Sequence, residues 1–415
     1  MKTTQQPSPW IWVVVISAFL AASISFGIRS GFGLFVLPIT AEYGWTVATL
    51  SLALAIQNLM WGVGQPFAGM AADRYGAPLV LVFGGLLYAS GLFIMATTPA
   101  EAAFHLSAGF MVGIAQSCIG FPVLLGAIAK SVPPAHKGLF MGIGTAGGSF
   151  GQLTFAPITR LLIDRFDWVN TLHILAIVAL GACVLGLVIN LAKRRIGQPQ
   201  VSSGAIKSQK PLYEIDGFKD TLRHAKREQG YVLLVTGFFV CGFQLGFIIV
   251  HLPAFAALCG LAGHVAANGI ALIGAFNIIG AIVAGSLGDR MRPKIPLAYI
   301  YLGRSLATLP LVLLPVTETS FYIFSAIMGL LWLSTIPLTS GVIQQFYGQR
   351  HAGTLFGITF FSHQIGSFIG VYASGLLYDA TGSYDLTWWG SIALGLLAFA
   401  VNLMIKDRHN KPEQA

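Results

Sequence analysis

Twelve long apolar runs constrain this chain more than anything else in it: 11–38, 46–72, 79–98, 101–132, 137–163, 169–192, 230–258, 264–287, 295–315, 319–347, 352–378 and 385–405. A helix needs about 20 apolar residues to cross the hydrocarbon core of a bilayer, and each run is long enough. Lipid supplies no hydrogen bonds, so a spanning backbone must be helical or part of a closed barrel. Barrel strands alternate polar and apolar over about 10 residues, and these runs do not alternate. The expected fold is an all-α membrane protein of twelve transmembrane helices, its first run retained as a helix rather than cleaved as a signal. Composition agrees: 55% of residues are hydrophobic and 9% charged, against roughly 25% charged in soluble domains. That balance also excludes disorder, which needs low hydrophobicity and high charge.

The 24 Lys and Arg residues set the expected orientation. With the N-terminus cytoplasmic, 20 of them fall on the cytoplasmic side, from Lys2, Arg74 and Lys130 to Arg408 and Lys411. Arg160 and Arg165 fall outside, and Arg29 and Arg304 fall within the membrane. Such asymmetry is the positive-inside pattern. Both termini are therefore expected in the cytoplasm, and a bacterial inner membrane is the expected location. The formal net charge of +9 lies in short loops between apolar runs, which suits a lipid surface and gives no nucleic-acid interface. A polar stretch, 193–229, separates residues 1–192 from 230–415 and reads as a cytoplasmic linker between two six-helix bundles. Its basic residues suit anionic headgroups, or a plain solvated linker.

The two halves echo each other. Gly69-Met-Ala-Ala-Asp73-Arg74 follows the second run, and Gly285-Ser-Leu-Gly-Asp289-Arg290 follows the eighth. Matched motifs at matched places point to an internal duplication. Each glycine permits a close approach of helix ends, and each Asp-Arg pair sits at the membrane face as a gating element.

On these loops the chain resembles the major facilitator superfamily over nearly its full length. The fifth run, Gly142-Ile-Gly144-Thr-Ala-Gly147-Gly148-Ser-Phe-Gly151-Gln152, is similar to that family's glycine-rich rocking helix. The eleventh, Phe361-Ser362-His363-Gln364-Ile-Gly366-Ser367-Phe-Ile-Gly370 with Gly375 and Tyr378-Asp379, resembles the monocarboxylate and oxalate–formate branch. The resemblance implies two pseudo-symmetric bundles that rock about a substrate near the midplane. It implies that helices 1, 2, 4, 5, 7, 8, 10 and 11 line the cavity, with 3, 6, 9 and 12 as supports.

Arg29 is the leading candidate for substrate contact. A charge at the bilayer centre costs at least ~2.5–3.5 kcal/mol on insertion scales, so it should face the protein interior or a watered cavity. There a guanidinium can clamp a carboxylate through two bonds. In the resembled branch a first-helix lysine stands at the corresponding place. Arg304 lies on the ninth run, whose peripheral place suits pairing with a polar helix neighbour. Asn277 stands where the branch carries Asp or Asn with an Arg four residues on; here that later residue is Ala281. His363 and Gln364 are candidates on the eleventh run, His363 also for proton coupling because imidazole titrates near neutrality. Gln116, Gln152 and Gln244 complete the candidate binding set. His251 sits near a helix end. Phe32, Phe243, Trp332 and Phe360 are candidates to pack an apolar part of a substrate or to fill helix contacts.

The 15 acidic residues all fall in expected loops or at run ends. No buried acid is therefore expected, either as a proton relay or as the partner of a cation. Cys118, Cys183, Cys241 and Cys259 lack metal-ligand spacing, and no metal or cofactor is expected. No phosphate-binding loop or catalytic cluster is seen, so the chain reads as a transporter and not an enzyme. The expected function is secondary transport of a small organic anion, a mono- or dicarboxylate, by a monomer. Movement of a bulkier metabolite, drug or siderophore is the alternative. A non-transporting sensor or scaffold, or a membrane enzyme, is a more distant one.

Overall fold

The computed structural model describes residues 9–133, 137–196, 212, 213, 215 and 217–406, without the side chains at 137, 138, 218, 289 and 349–351. The chain ends, with Lys2, Arg408 and Lys411, and most of the expected linker lie outside the described residues. Eleven stretches among the described residues are long and apolar enough to span a bilayer. One of these, Leu139–Ile196, has 58 residues, or about 87 Å of helix against a core of about 30 Å. Its backbone breaks at Asp167, where φ is 68°. The Asp167 carboxylate there accepts from the backbone N and side-chain Nδ2 of Asn170 at 2.8 and 2.9 Å, capping the helix that follows. Twelve crossings result.

In chain order, α1 is Pro9–Ser30, carried on by a tight turn Phe32–Phe35 and by Val36–Tyr43. Then come α2 (Val47–Tyr75) and α3 (Ala77–Thr97). The fourth crossing, α4, is assembled from Glu101–Phe104, a π turn His105–Met111, Val112–Cys118 and Phe121–Ala129. Residues 137–166 form α5 and 168–196 form α6. After a short helix Phe218–Ala225 come α7 (Gln229–Leu258), α8 (Gly263–Arg290) and α9 (Lys294–Leu313). The tenth, α10, starts as Glu318–Leu331 and resumes at Thr335; it passes into α11 at Gly348, where φ is 67°. Finally α12 is Asp385–Leu403.

Glycine lets the inner helices touch backbone to backbone. A Cβ built on Gly147 or Gly151 of α5 would collide with the carbonyl oxygen of Phe19 or Ser23 on α1. The second half repeats this: a Cβ on Gly242 of α7 would strike the His363 carbonyl, and one on Gly366 of α11 the Phe239 carbonyl. Without water to drive burial, close contact of small residues is what holds such helices together. Between halves, α2 packs on α11 and α5 packs on α8.

Two membrane faces result. The basic face carries Asp73, Arg74 and Lys130; the distal face carries Tyr43, Val47 and Asp379. Among the described residues, the hydrogen bonds seen between halves fall at the midplane or the distal end: Asn277 to Ser149, His251 to Ser51, and Asp379 to the start of α2. Near the basic face, a Cβ on Gly142, Gly353 or Gly357 would meet no atom within 4 Å. Among the described residues the halves are thus hydrogen-bonded at the midplane and the distal face, with open space beside these glycines at the basic face.

Gly151→Val should force α1 off α5, because no flexible side chain can give way to the added methyls. We expect loss of the monodisperse peak on size-exclusion chromatography. Gly126→Ala, where a Cβ meets nothing within 4 Å, should leave that peak intact. A monodisperse Gly151→Val protein would contradict the contact.

Candidate functional site

Arg29 projects from the last turn of α1 toward α2. Its Nη2 donates to Asn58 Oδ1 at 2.5 Å, and its guanidinium carbon lies 4.9 Å from the centre of the Trp61 ring. Asn58 and Trp61 are three residues apart on α2 and so share a face. The Asn58 amide nitrogen bonds back to Leu54 O at 2.8 Å, which turns its oxygen to the arginine. Among the described residues Arg29 makes no ion pair, and its Nε has no hydrogen-bond partner. The side chain is half-buried.

Arg304 is placed differently. It is 0% exposed. Its Nη2 donates to the carbonyls of Leu331 and Trp332, both at 2.6 Å, and its Nε to Leu331 O at 3.2 Å. Nη1 reaches Cys241 Sγ at 3.2 Å and Gln244 Oε1 at 3.5 Å. These carbonyls are free because α10 is interrupted after Leu331. Arg304 therefore caps the C-terminal end of a broken helix, where a cation is favoured.

Asn277 grips the same break from α8. Its Oδ1 accepts from Leu333 N at 3.0 Å and its Nδ2 donates to Ser149 Oγ of α5 at 2.7 Å. Gln244 donates to Ser391 O at 3.0 Å while receiving Arg304. Both amides are thus engaged at each end by protein partners. Gln116 donates to the Tyr88 hydroxyl at 3.3 Å, leaving its buried Oε1 without a partner among the described residues. Gln152 is buried beside the α5–α8 contact with its Nε2 likewise unpartnered. Gln364 is 0% exposed; its Oε1 faces His363 Nδ1 at 3.1 Å, and its Nε2 has no partner among the described residues. His363 stacks on Phe360 with ring centres 5.7 Å apart. His251 lies away from this centre, between Tyr384 Oη at 3.0 Å and Val371 O at 2.9 Å.

Aromatic rings line the same level. Phe26 stacks on Phe121 at 4.4 Å and meets Trp61 edge-on at 5.6 Å; Trp61 in turn meets Phe360 at 5.5 Å. Trp61 carries no motif of its own in the sequence, although its spacing from Asn58 is a usable signal. Together Arg29, Asn58, Trp61, Phe360 and Gln364 form a midplane cluster drawn from both halves: one cation, apolar walls and unpartnered donors.

The paired loops lie at the basic face. Asp73 Oδ1 receives Lys130 Nζ at 2.7 Å, and Arg74 lies over the Tyr75 ring. The Asp73–Lys130 pair is exposed and joins two helices of one half, so it is worth ~0–1 kcal/mol. Gly69 and Gly285 have open space around them. Arg290 ends α8, and the Asp289 side chain lies outside the described residues.

A profile of the Major Facilitator Superfamily matches residues 18–371. The chain belongs to that superfamily. An uncharacterised MFS-type transporter, YcxA, from Bacillus subtilis (strain 168) is 28% identical over 381 residues, covering 90% of each chain. Monocarboxylate transporter 13 of Rattus norvegicus is 23% identical over 393 residues, covering 93% of this chain and 87% of that one. Among solved structures, a bacterial homologue of the human lysosomal transporter Spinster, inward-facing and occupied, superposes with a TM-score of 0.70 at 15% identity, covering 96% and 95% of the two chains. This superfamily member is a membrane-embedded transporter of a small molecule, not an enzyme.

The Arg304 and Asp379 contacts yield two measurable outcomes. Arg304→Gln should lower stability by roughly 2–4 kcal/mol, because buried carbonyls lose a charged donor; an unchanged thermal midpoint in detergent would refute the capping role. Asp379 Oδ1 and Oδ2 accept from Val47 N at 3.1 Å and Ala48 N at 2.7 Å, tying α11 to the N-terminus of α2. Such a carboxylate is worth ~0.3–2 kcal/mol. Asp379→Ala should therefore raise severalfold the rate at which an impermeant maleimide labels a cysteine at Ser51; equal rates would count against the tie.

Proposed function

We propose that this superfamily member is a secondary active transporter of a small organic anion, with a carboxylate as the recognised group. The supporting observation is Arg29: a permanent cation, half-buried between the halves, whose hydrogen-bond partner is a neutral amide. With no ion pair to it among the described residues, its charge is better balanced when an anion occupies the cluster. The relatives named as monocarboxylate transporters agree with this reading. In the proposed cycle the anion reaches Arg29 from the open basic face, and neutralising the guanidinium lowers the cost of closing the halves over it. A ligand can drive that change only by binding the two states unequally. Gln364 and Gln152 supply further donors, Gln116 an acceptor, and His363 carries a proton if coupling is to protons. Asn277 and Gln244 act behind them as braces of α10. The Asp73-Arg74 and Asp289-Arg290 loops close the basic face in the opposite state.

The Lys and Arg bias supports a cytoplasmic basic face, cytoplasmic termini and an inner membrane. The duplicated loops support a division at 1–192, 193–229 and 230–415. That one chain supplies every residue named in the cluster supports a monomer. The ring-lined wall favours a second reading, transport of a bulkier anionic metabolite, drug or siderophore. Uptake that small carboxylates fail to inhibit would favour it.

Arg29→Gln should weaken carboxylate binding by about 10- to 100-fold, the scale of one charged hydrogen bond, while the protein still inserts and stays monodisperse. Calorimetric titration of purified protein with a carboxylate panel measures this. Undiminished affinity in Arg29→Gln would remove the site.

A further inference from the structure

The short helix Phe218–Ala225 lies outside the midplane cluster, and it carries a charge pattern that transport at that cluster does not use. The helical turn runs on past Ala225: Lys226 N reaches Leu222 O at 3.2 Å and Arg227 N reaches His224 O at 2.9 Å. Lys219, Arg223, Lys226 and Arg227 are all exposed. Spaced four, three and one residues apart, they share one stripe, while Thr221 and Ala225 on the other side are buried. Asp220 flanks the stripe and reaches Arg223 at 3.4 Å. Glu228 is turned to the start of α7, where it accepts from Gly230 N at 3.5 Å. The exposed stripe thus sets four cations against one acid among the described residues.

The rest of this segment is fastened to the second half. The Gly348 break ends α10, so carbonyls of its last turn are open to donors from elsewhere. The linker supplies them: Leu212 N donates to Gln345 O at 2.9 Å and Tyr213 N to Phe346 O at 2.8 Å. The Tyr213 ring lies 4.4 Å from the His224 ring and 5.6 Å from that of Tyr347, and His224 Nδ1 stands 3.2 Å from Tyr347 Oη. Tyr231 of α7 continues the cluster, 6.1 Å from Tyr347, and donates to Leu355 O of α11 at 2.8 Å. One strap therefore joins the end of the linker to the end of α10 and the starts of α7 and α11.

We propose that Lys219, Arg223, Lys226 and Arg227 dock on the anionic phospholipid headgroups of the leaflet at the basic face, and that this contact holds the strap on α10. Position commits the stripe to lipid. Arg227 stands two residues before the α7 span Gln229–Leu258, and Lys219 ten. Every cation of the stripe therefore lies within about 20 Å of the first residue of that span along the chain. The leaflet around the span is the one anionic surface always present at that distance, whereas a soluble anion has to be captured from dilute solution. The first half marks the same level: Trp10 and Trp12 are exposed at the start of α1, and Arg195 at the end of α6 lies over the Trp10 ring, the aromatic and basic residues of a headgroup layer. Each Lys or Arg near an anionic leaflet strengthens the attraction by about fivefold. The Asp220–Arg223 pair is exposed on both sides and offsets little of it.

The test is amide hydrogen exchange, read by mass spectrometry, on the full chain in nanodiscs of phosphatidylcholine alone or with about 30% phosphatidylglycerol. Peptides covering 212–228 carry the answer, because the Leu212 and Tyr213 amides are protected while the strap is docked. With phosphatidylglycerol these amides should exchange about five- to tenfold more slowly, the scale of one or two cations on a leaflet. Salt at about 0.5 M should remove the difference. A chain carrying Lys219→Gln, Arg223→Gln, Lys226→Gln and Arg227→Gln together should exchange at one rate in both lipids. Equal wild-type rates in the two lipids, or a difference that persists in this variant, would overturn the proposal. So would the same slowing from millimolar glycerol 3-phosphate added to phosphatidylcholine discs, which would make the stripe a soluble-phosphate site. If the variant fails to accumulate, the wild-type lipid and salt comparisons decide alone.

Discussion

A guanidinium keeps its charge, and lipid cannot solvate it, so each intramembrane arginine must find oxygens inside the protein. The chain meets this demand in two ways. For Arg304 the oxygens come from α10, whose interruption after Leu331 leaves carbonyls that a cation can cap. For Arg29 the partners found among the described residues are the Asn58 amide and the face of the Trp61 ring. One arginine completes the scaffold, and the other is left to complete a binding site.

The scaffold around Arg304 also explains why nearby amides are not free for ligand. Asn277 and Gln244 look like cavity groups by position, yet each bridges helices. Asn277 ties Ser149 of α5 to Leu333 at the break, so it links the first half to the weakest point of α10. A broken helix is tolerated at membrane depth only when neighbours re-satisfy its backbone, and Arg304 and Asn277 do this from opposite sides of the break.

Most of the fold was legible because hydropathy is the code lipid reads. The twelve runs correspond to twelve crossings, and the glycines of the fifth and eleventh runs mark where backbones touch. The interruption of α10 is not visible in hydropathy, although Pro337 signals it: proline has no N–H for the Leu333 carbonyl and its ring crowds that carbonyl. The site was legible only in part. Arg29 stands out because a charge in an apolar run needs a reason. Trp61 does not, since an aromatic residue in a membrane helix is ordinary, and only its place above Arg29 and against α11 gives it meaning. The engagement of Asn277 and Gln244 could not be read either, because their partners are far away in sequence and one of them exists only where α10 breaks.

The contacts that close the distal face are suited to being broken. Among the described residues, the ion pairs found, Asp73–Lys130, Arg160–Asp164 and Asp220–Arg223, each lie on one side of the division between halves or in the short helix near it. Across the halves stand a carboxylate on a helix N-terminus, a serine near a histidine, and an amide on a serine. Each is worth on the order of 1 kcal/mol. A small ligand that gains a few hydrogen bonds in one arrangement can shift a balance of that size. A strong interhalf salt bridge at the distal face would demand more differential affinity than a molecule of a few atoms can provide, so weak closure there and a demanding, incompletely satisfied centre belong to the same design.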